Sequence, residues 1–345
     1  MNGMIGLERL HRILEKFPGQ RIGLLGDLFL DRYLEIAPDI REHSIETGLE
    51  AYQIQQVRNA PGALGTVINN LTALGVGELV PVTVIGEDGH GFDLLKQLSL
   101  LPVDGHHILQ SPDRATPTYT KPLRPVKGGH WEELHRLDVR TRAPLTRAEL
   151  DWVVDHLQEV FTSTDGLIVL DQIDEQDWGV VSSQVRDILL DLTRGDPDKL
   201  VFVDSRSHIS RFVCGHLKGN QKEFTSRSKR HRESAGGTGK DAASAMAARS
   251  ERPAFCTLGE QGILVATPDG AVDLVPGITV DGPVDIVGAG DAVTSAVVAA
   301  LLAGAAPVEA AGIGNLAASI TIQQLGTTGT ASPDQLLDGC RKTSG

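Results

Sequence analysis

Near its C-terminal end the chain reads Asp285-Ile286-Val287-Gly288-Ala289-Gly290-Asp291, followed by an apolar run from Ala292. Small residues let a backbone approach another group closely and turn its N–H groups toward it. A helix that begins there adds unpaired N–H donors and the positive end of its dipole. Together these suit an anion such as a phosphate. Asp291 brings a negative charge to the same place, which makes sense if the carboxylate has separate work. It would take the proton of an attacking hydroxyl while the N–H groups of residues 288–291 hold a transferring phosphoryl group. The plain alternative is a helix N-terminus, where Asp is favourable in any protein.

Such a carboxylate needs rigid elements behind it. An amphipathic helix over about Gly6–Phe17 precedes RIGLLGD, a buried strand ending at Gly26-Asp27. PGALGTVINNLTALGV reads as a glycine-rich loop running into a helix that stops at Gly75, then VPVTVIG as a strand and GFDLLKQLSLL as a helix. From Thr146 the alternation resumes: helix 146–161, strand GLIVL, helix 178–193, strand LVFVD, a short helix, and HLKGN. Strand PAFCTLG, the hairpin GILVATPDGAVDLVP and helices after Asp291 and Pro307 complete it. This order predicts an α/β fold with a mostly parallel sheet and helices on both faces. Ligands in such sheets sit at the carboxyl ends of the strands, which draws attention to Asp27, Asp171, Asp204 and Gly259. Residues 33–58 and 113–138 read instead as exposed strands, the second pair joined by a Gly128-Gly129 turn, and predict a small separate sheet.

The stretch Asp285–Asp291 resembles the signature of the ribokinase-like (PfkB) carbohydrate kinases, D-T-x-G-A-G-D. Gly26-Asp27-Leu28-Phe29-Leu30-Asp31-Arg32-Tyr33 is similar to the first-strand motif of the heptose-7-phosphate kinase branch (the kinase domain of ADP-heptose synthase), and His135-Arg136-Leu137-Asp138 to its lid strand. Asn220-Gln221-Lys222-Glu223 is similar to the family's N-x-x-E, Thr257-Leu258-Gly259-Glu260-Gln261-Gly262 to its T-L-G-x-x-G, and Leu325-Gly326-Thr327 to its C-terminal end. The resemblance covers roughly residues 20–335. It implies a three-layer ribokinase-like domain spanning 1–345, with a small β lid from 33–58 and 113–138. The implied activity is ATP-dependent phosphorylation of a sugar or sugar-phosphate hydroxyl.

On that resemblance Asp291 is the catalytic base and Gly288, Ala289 and Gly290 form the anion hole. Asn220 and Glu223 order Mg²⁺ through water; Thr257, Gly259 and Gly262 lie along the nucleotide, and Asn315 borders the adenine. Asp31, Gly62, Thr66, Arg136 and Asp138 face the sugar, with Arg136, Arg206 and Lys121 as candidate contacts for a substrate phosphate. A monovalent cation is a further candidate cofactor. Exposed strand edges on a lid need a partner, which suggests a homodimer packed lid on lid. Four departures stand out. Ile286 replaces the signature's Thr, and the sugar-side G-G-x-x-N appears as Gly62-Ala63-Leu64-Gly65-Thr66. Lys218-Gly219 stands where T-P often precedes the asparagine, and an insertion at Asp174-Glu175-Gln176 blurs which residue ends the fourth strand. The alternatives are a kinase for a hexose, hexose phosphate or nucleoside, or a non-catalytic ribokinase-like binding or scaffold protein.

Composition narrows the partners. The 345 residues carry a formal net charge of −13 and only 4% aromatics, which argues against a nucleic-acid surface. Cys214, Cys256 and Cys340 lie far apart and form no zinc or disulfide pattern, as expected in a reducing cytosol. No apolar run reaches the roughly 18 residues that span a membrane, so a soluble cytoplasmic protein is expected. Gly236-Gly237-Thr238-Gly239-Lys240 has a P-loop flavour, but Ser234 and Asp241 occupy essential positions of that motif and a loop is the better reading. The basic run Arg227, Lys229, Arg230, His231 and Arg232 reads as a solvated face that could also attract phosphate. His106-His107 and His130 lack partners at metal-ligand spacing.

Overall fold

Apolar runs bounded by turn residues become strands buried on both sides. The computed structural model describes residues 5–126, 130–225, 239–326 and 328–344. The chain begins with α1 (Leu7–Leu14), β1 (Arg21–Gly26), β2 (Leu28–Ile36), β3 (Glu42–His43), β4 (Glu50–Ala51) and β5 (Ile54–Ala63). There follow α2 (Leu64–Ala73), β6 (Glu78–Gly86), α3 (Gly89–Leu98), β7 (Ile108–Ser111), β8 (Thr118–Val126), β9 (His130–Glu133) and β10 (Leu137–Val139). The next stretch comprises α4 (Arg147–Ser163), β11 (Gly166–Asp171), α5 (Ser183–Gly195), β12 (Leu200–Ser205), β13 (His216–Asn220), α6 (Gln221–Thr225) and α7 (Gly239–Ser250). The last elements are β14 (Ala254–Thr257), β15 (Gly262–Ala266), β16 (Val272–Pro276), α8 (Ala289–Leu302), α9 (Pro307–Thr321) and α10 (Pro333–Ser344).

A nine-stranded sheet runs β16-β15-β14-β13-β12-β11-β1-β6-β7, parallel from β14 to β7 and antiparallel only at β15 and β16. Side chains alternate between two apolar layers. Ile168 and Leu170 of β11 join the layer of α1, α2, α8, α9 and α10, while Leu167 and Val169 join that of α4, α5 and α7. This is the three-layer ribokinase-like fold, and its strands carry continuous apolar runs because neither face meets water. From β1 the chain adds β6 and β7 on one side, then returns to add β11 to β14 on the other. The switch point therefore lies between β1 and β11, and the crevice it opens is at the carboxyl ends of the strands. Among the described residues no helix is long and apolar enough to cross a membrane.

The second sheet, β10-β8-β2-β5 with β9 on β8, forms the lid. Its bounds differ from the expected ones. β2 starts at Leu28, directly after β1, and β5 runs on through Pro61-Gly62-Ala63, so no glycine-rich loop precedes α2. Apolar residues Leu28, Phe29 and Leu30 look like part of a core strand in the sequence; here they are the buried root of the lid. The helix expected from residue 178 begins at Ser183, because the Ser182 hydroxyl caps it by accepting from the Val185 N–H. β7, α7 and α10 were not foreseen; Gly239 and Lys240 open α7 instead of closing a loop. The Gly128-Gly129 turn, the basic run 227–232, Gly236 to Thr238 and Thr327 lie outside the described residues.

Candidate active site

Gly288 is the N-terminal cap of α8 and has φ 81°, a left-handed conformation that glycine adopts without penalty. Asp285 braces the turn before it by accepting from the N–H groups of Val287 (3.0 Å) and Gly326 (3.3 Å). Ile286 points into solvent, so the missing threonine hydroxyl leaves this turn intact. The Ala289 N–H donates to the Ile286 carbonyl at 3.2 Å, leaving Gly290 and Asp291 as the donors of the open first turn. Thr66 lies beside this cradle: a Cβ on Gly288 would sit 3.6 Å from the Thr66 methyl group.

Beneath the cradle lies a cation that sequence reasoning noticed only as a departure. Lys218, on β13, is buried, and its Nζ would lie 3.1 Å from a Cβ placed on Gly290. The ammonium donates to Asp204 Oδ2 at 2.6 Å, and the Thr294 hydroxyl of α8 donates to the same oxygen at 2.8 Å. Burial works against the charged lysine, but the Asp204 carboxylate, helped by Asp291 and Glu223, outweighs it and raises the Lys218 pKa. Asp291 keeps part of its surface accessible, yet its carboxyl is pushed up to about 7. Desolvation is the main cause and Asp204 adds to it; Lys218 and Arg206 pull the other way. The result is a carboxyl poised to gain or lose a proton near neutrality. The signal available in the sequence was a lone lysine inside HLKGN, flanked by residues suited to a buried strand.

On the nucleotide side, Asn220 and Glu223 form a reciprocal cap at the start of α6. The Asn220 N–H donates to Glu223 Oε2 at 2.6 Å, and the Glu223 N–H donates to Asn220 Oδ1 at 3.0 Å. Burial raises the Glu223 pKa, with Asp204 adding to it and Lys218 and Arg206 opposing. Thr257 is the cross-strand partner of Asn220, and Gly259 sits just beyond it at φ 61°. Gly262 is explained by packing: a Cβ there would lie 2.1 Å from the Val275 carbonyl of β16. Asn315 is buried in α9 and donates its amide hydrogens to the Val275 and Pro276 carbonyls at 3.1 and 2.9 Å. That amide ties α9 to β16.

On the lid, Asp31 and Lys121 project from neighbouring strands and approach to 3.4 Å, while Arg32 on the opposite face pairs with Asp93. Gly62 makes room for Asp31, since a Cβ there would fall 2.9 Å from the carboxylate. Asp31 Oδ1 is buried and faces the Lys121 ammonium at a long 3.4 Å, and burial raises the carboxyl's pKa against the pull of Lys121. Arg136 grips Asp138 with two hydrogen bonds of 2.7 and 2.9 Å and lies 4.2 Å over the Tyr119 ring. Arg206 acts electrostatically on Tyr119, Asp291 and Glu223, linking the lid to the first turns of α8 and α6. Two other strand-end carboxylates serve the scaffold. Asp171 accepts from the Ser205 hydroxyl at 2.8 Å and pairs with His208 at 3.3 Å. Asp27 accepts from the Val180 N–H at 2.9 Å, and burial pushes it up to about 6.

The donors gathered here are hard oxygens: Asn220 and Glu223, with Asp204 within electrostatic reach of Glu223. They fit a hydrated Mg²⁺ held beside phosphates, since one Glu223 oxygen is already committed to the cap. Residues 197–335 match the pfkB family carbohydrate kinase profile. The chain is 28% identical over 318 residues to the bifunctional protein HldE of Trichlorobacter lovleyi, covering 91% of this chain and 61% of that protein. It is 29% identical over 331 residues to the HldE of a Caulobacter species, covering 93% and 63%. The chain thus spans about three fifths of the length of these curated relatives. Among solved structures it is similar to Escherichia coli phosphofructokinase-2 in complex with potassium, with TM-score 0.67, 19% identity and coverage of 94% and 100%. It is also similar to Arabidopsis thaliana ribokinase complexed with ribose and ATP, with TM-score 0.64, 16% identity and coverage of 93% and 99%.

Proposed function

We propose that this chain, a carbohydrate kinase of the pfkB family, transfers the terminal phosphoryl group of ATP to a hydroxyl of a sugar phosphate, with Asp291 as the base. The observation that carries this reading is Asp291 itself, set on the open first turn of α8, with its pKa near 7 and Lys218 buried behind it. Asp291 accepts the proton of the acceptor hydroxyl as that oxygen attacks phosphorus. The N–H groups of Gly290 and Asp291 face the negative charge on the phosphoryl oxygens, with the α8 dipole behind them. Lys218 offsets part of that charge from below. Mg²⁺ supplies neutralisation of the phosphates when bound with ATP, and Asn220 and Glu223 would hold it through water. Thr257 and Gly259 border the nucleotide, and Asn315 offers its carbonyl to the base.

Asp31 fits a sugar hydroxyl: its carboxylate is held by a long 3.4 Å contact with Lys121 and accepts a shorter bond when a hydroxyl arrives. Arg206, with Arg136 and Lys121 of the lid, supplies positive charge for a phosphate on the sugar. Heptose 7-phosphate is the substrate favoured by the likeness to HldE and by the lid motif. Lid closure over the sugar excludes water and limits ATP hydrolysis. Apolar Val57, Trp131 and Leu137 are exposed on lid strands, and a second copy packing there would cover them. A monomer by light scattering at micromolar concentration would remove that dimer.

The test is ADP release from Mg-ATP against a panel of sugars and sugar phosphates, heptose 7-phosphate included, for wild type and Asp291→Asn in parallel. A substrate whose turnover vanishes in the variant is expected. ATP binding with no turnover across the panel would favour the binding or scaffold reading, with Ala63 and Thr66 as its cause. Repeating the assay with Na⁺ and K⁺ salts decides the monovalent cation.

A further inference from the structure

Far from the phosphoryl site, the fold gives His107 the partner that its sequence neighbourhood lacks. His107 ends the turn before β7 and is buried; His156 projects from α4. Their Nδ1 atoms face each other at 2.7 Å. Glu159 lies one helical turn beyond His156 on the same face of α4. One nitrogen from each ring and one Glu159 oxygen all lie within 4.8 Å of one another. Both rings are held. Trp152 stacks on His156 with centroids 3.9 Å apart, and His106 packs edge-on to His107 at 5.1 Å. The turn itself is pinned by Asp104, which accepts from the His106 N–H at 3.0 Å and pairs with Arg21 at 3.8 Å.

From this geometry we infer a second site: His107, His156 and Glu159 bind a divalent transition-metal ion of the zinc class. Two imidazoles and a carboxylate suit such an ion, and a tetrahedral centre would leave its fourth position to water on the exposed Glu159 side. Without metal, one ring donates its Nδ1–H to the other. On binding, that ring shifts its proton to Nε2 and both Nδ1 lone pairs turn to the ion. Nitrogens about 2.0–2.1 Å from a tetrahedral ion stand roughly 3.3 Å apart, so the rings need part by only about half an ångström. The ion would clip α4 to the turn leading into β7, the edge of the large sheet. It lies at the amino end of β7, whereas the phosphoryl chemistry uses the carboxyl ends of the strands. The site is thus a structural or regulatory clip, independent of the kinase reading.

The full chain, free of any histidine tag and treated with chelator, is titrated with Zn²⁺ by calorimetry and with Co²⁺ by visible absorption. Asp291→Asn serves as a background in which the active-site base is removed. The expected result is one saturable site, four-coordinate in its Co²⁺ spectrum, retained in Asp291→Asn and accompanied by a zinc-dependent rise in Tm. His156→Gln should lose both the spectrum and the rise. Glu159→Gln, at an exposed position that leaves the metal-free fold unchanged, should weaken binding and alter the spectrum. Absence of saturable binding to the wild type overturns the inference, as does binding that neither variant changes.

Discussion

Two carboxylate–ammonium pairs stand on opposite sides of the crevice, and they are built differently. Asp204 and Lys218 sit on adjacent parallel strands of the large sheet at 2.6 Å, and Thr294 gives the carboxylate a second donor. Asp31 and Lys121 sit on the lid, where the ammonium reaches Asp31 Oδ1 at a looser 3.4 Å. The first pair is short and its carboxylate has two donors; the second is longer and looser. A hydrogen bond to a charged group contributes about 1.5–3 kcal/mol, so a substrate hydroxyl on the loosely held carboxylate would add to binding. The difference separates two tasks. The sheet side sets the electrostatics before anything binds, and the lid side keeps a loosely held carboxylate that a ligand hydroxyl would engage.

The most severe way to break this comparison is Asp291→Asn, which should lower kcat by about 10²–10⁴-fold without destabilising the fold. Asp291 is raised from 3.8 to about 7 on folding, so its ionised form is penalised in the native state at every pH above the unfolded value. Thermal melts should therefore show the variant more stable than wild type at pH 8, with the difference shrinking toward pH 4. Next comes Lys218→Met. It strands a buried Asp204 charge and should cost about 3–5 kcal/mol in urea unfolding, whereas Lys121→Met should cost only about 1–3 kcal/mol and act mainly on KM. Equal losses would erase the distinction between the two pairs.

The pH profile sharpens the comparison. Because the base must be ionised, kcat/KM should fall as pH drops through about 7 in the free enzyme. Asp204→Asn removes a neighbour that raises the Asp291 pKa, so the acid limb should move to lower pH. On the lid, Asp31→Asn should reduce kcat/KM roughly 10- to 100-fold, the equivalent of one hydrogen bond to a charged group, while leaving the acid limb in place. The smallest expected effect is Ala63→Gly. Ala63 holds φ 51°, ψ −114° at the start of α2, a conformation costly for a residue with a Cβ. Glycine should stabilise the chain by about 1 kcal/mol, read as a higher urea midpoint.

Much of the architecture was legible because it depends on local pattern. Continuous apolar runs such as GLIVL and LVFVD lie where strands are buried on both faces, and the Gly288–Asp291 sequence lies where a glycine cap opens a helix. The lid boundary was misplaced for the same reason: Leu28, Phe29 and Leu30 are as apolar as any core strand, and composition does not say which sheet they join. Gly262 reads as a nucleotide glycine from its motif, yet the close approach of β16 accounts for it. The role of Lys218 was hidden because a lone lysine in a strand reads as exposed until its partner on β12 is known.

By itself the sequence determined an α/β chain of alternating strands and helices and placed a carboxylate on a glycine-capped helix end. Those are properties of neighbours along the chain, where spacing and backbone freedom act directly. Only the tertiary structure brought Lys218 under Gly290, set Lys121 loosely against Asp31 and placed His107 against His156. Each of these joins residues separated by many positions, and burial, proximity and pKa are consequences of packing that no local pattern encodes.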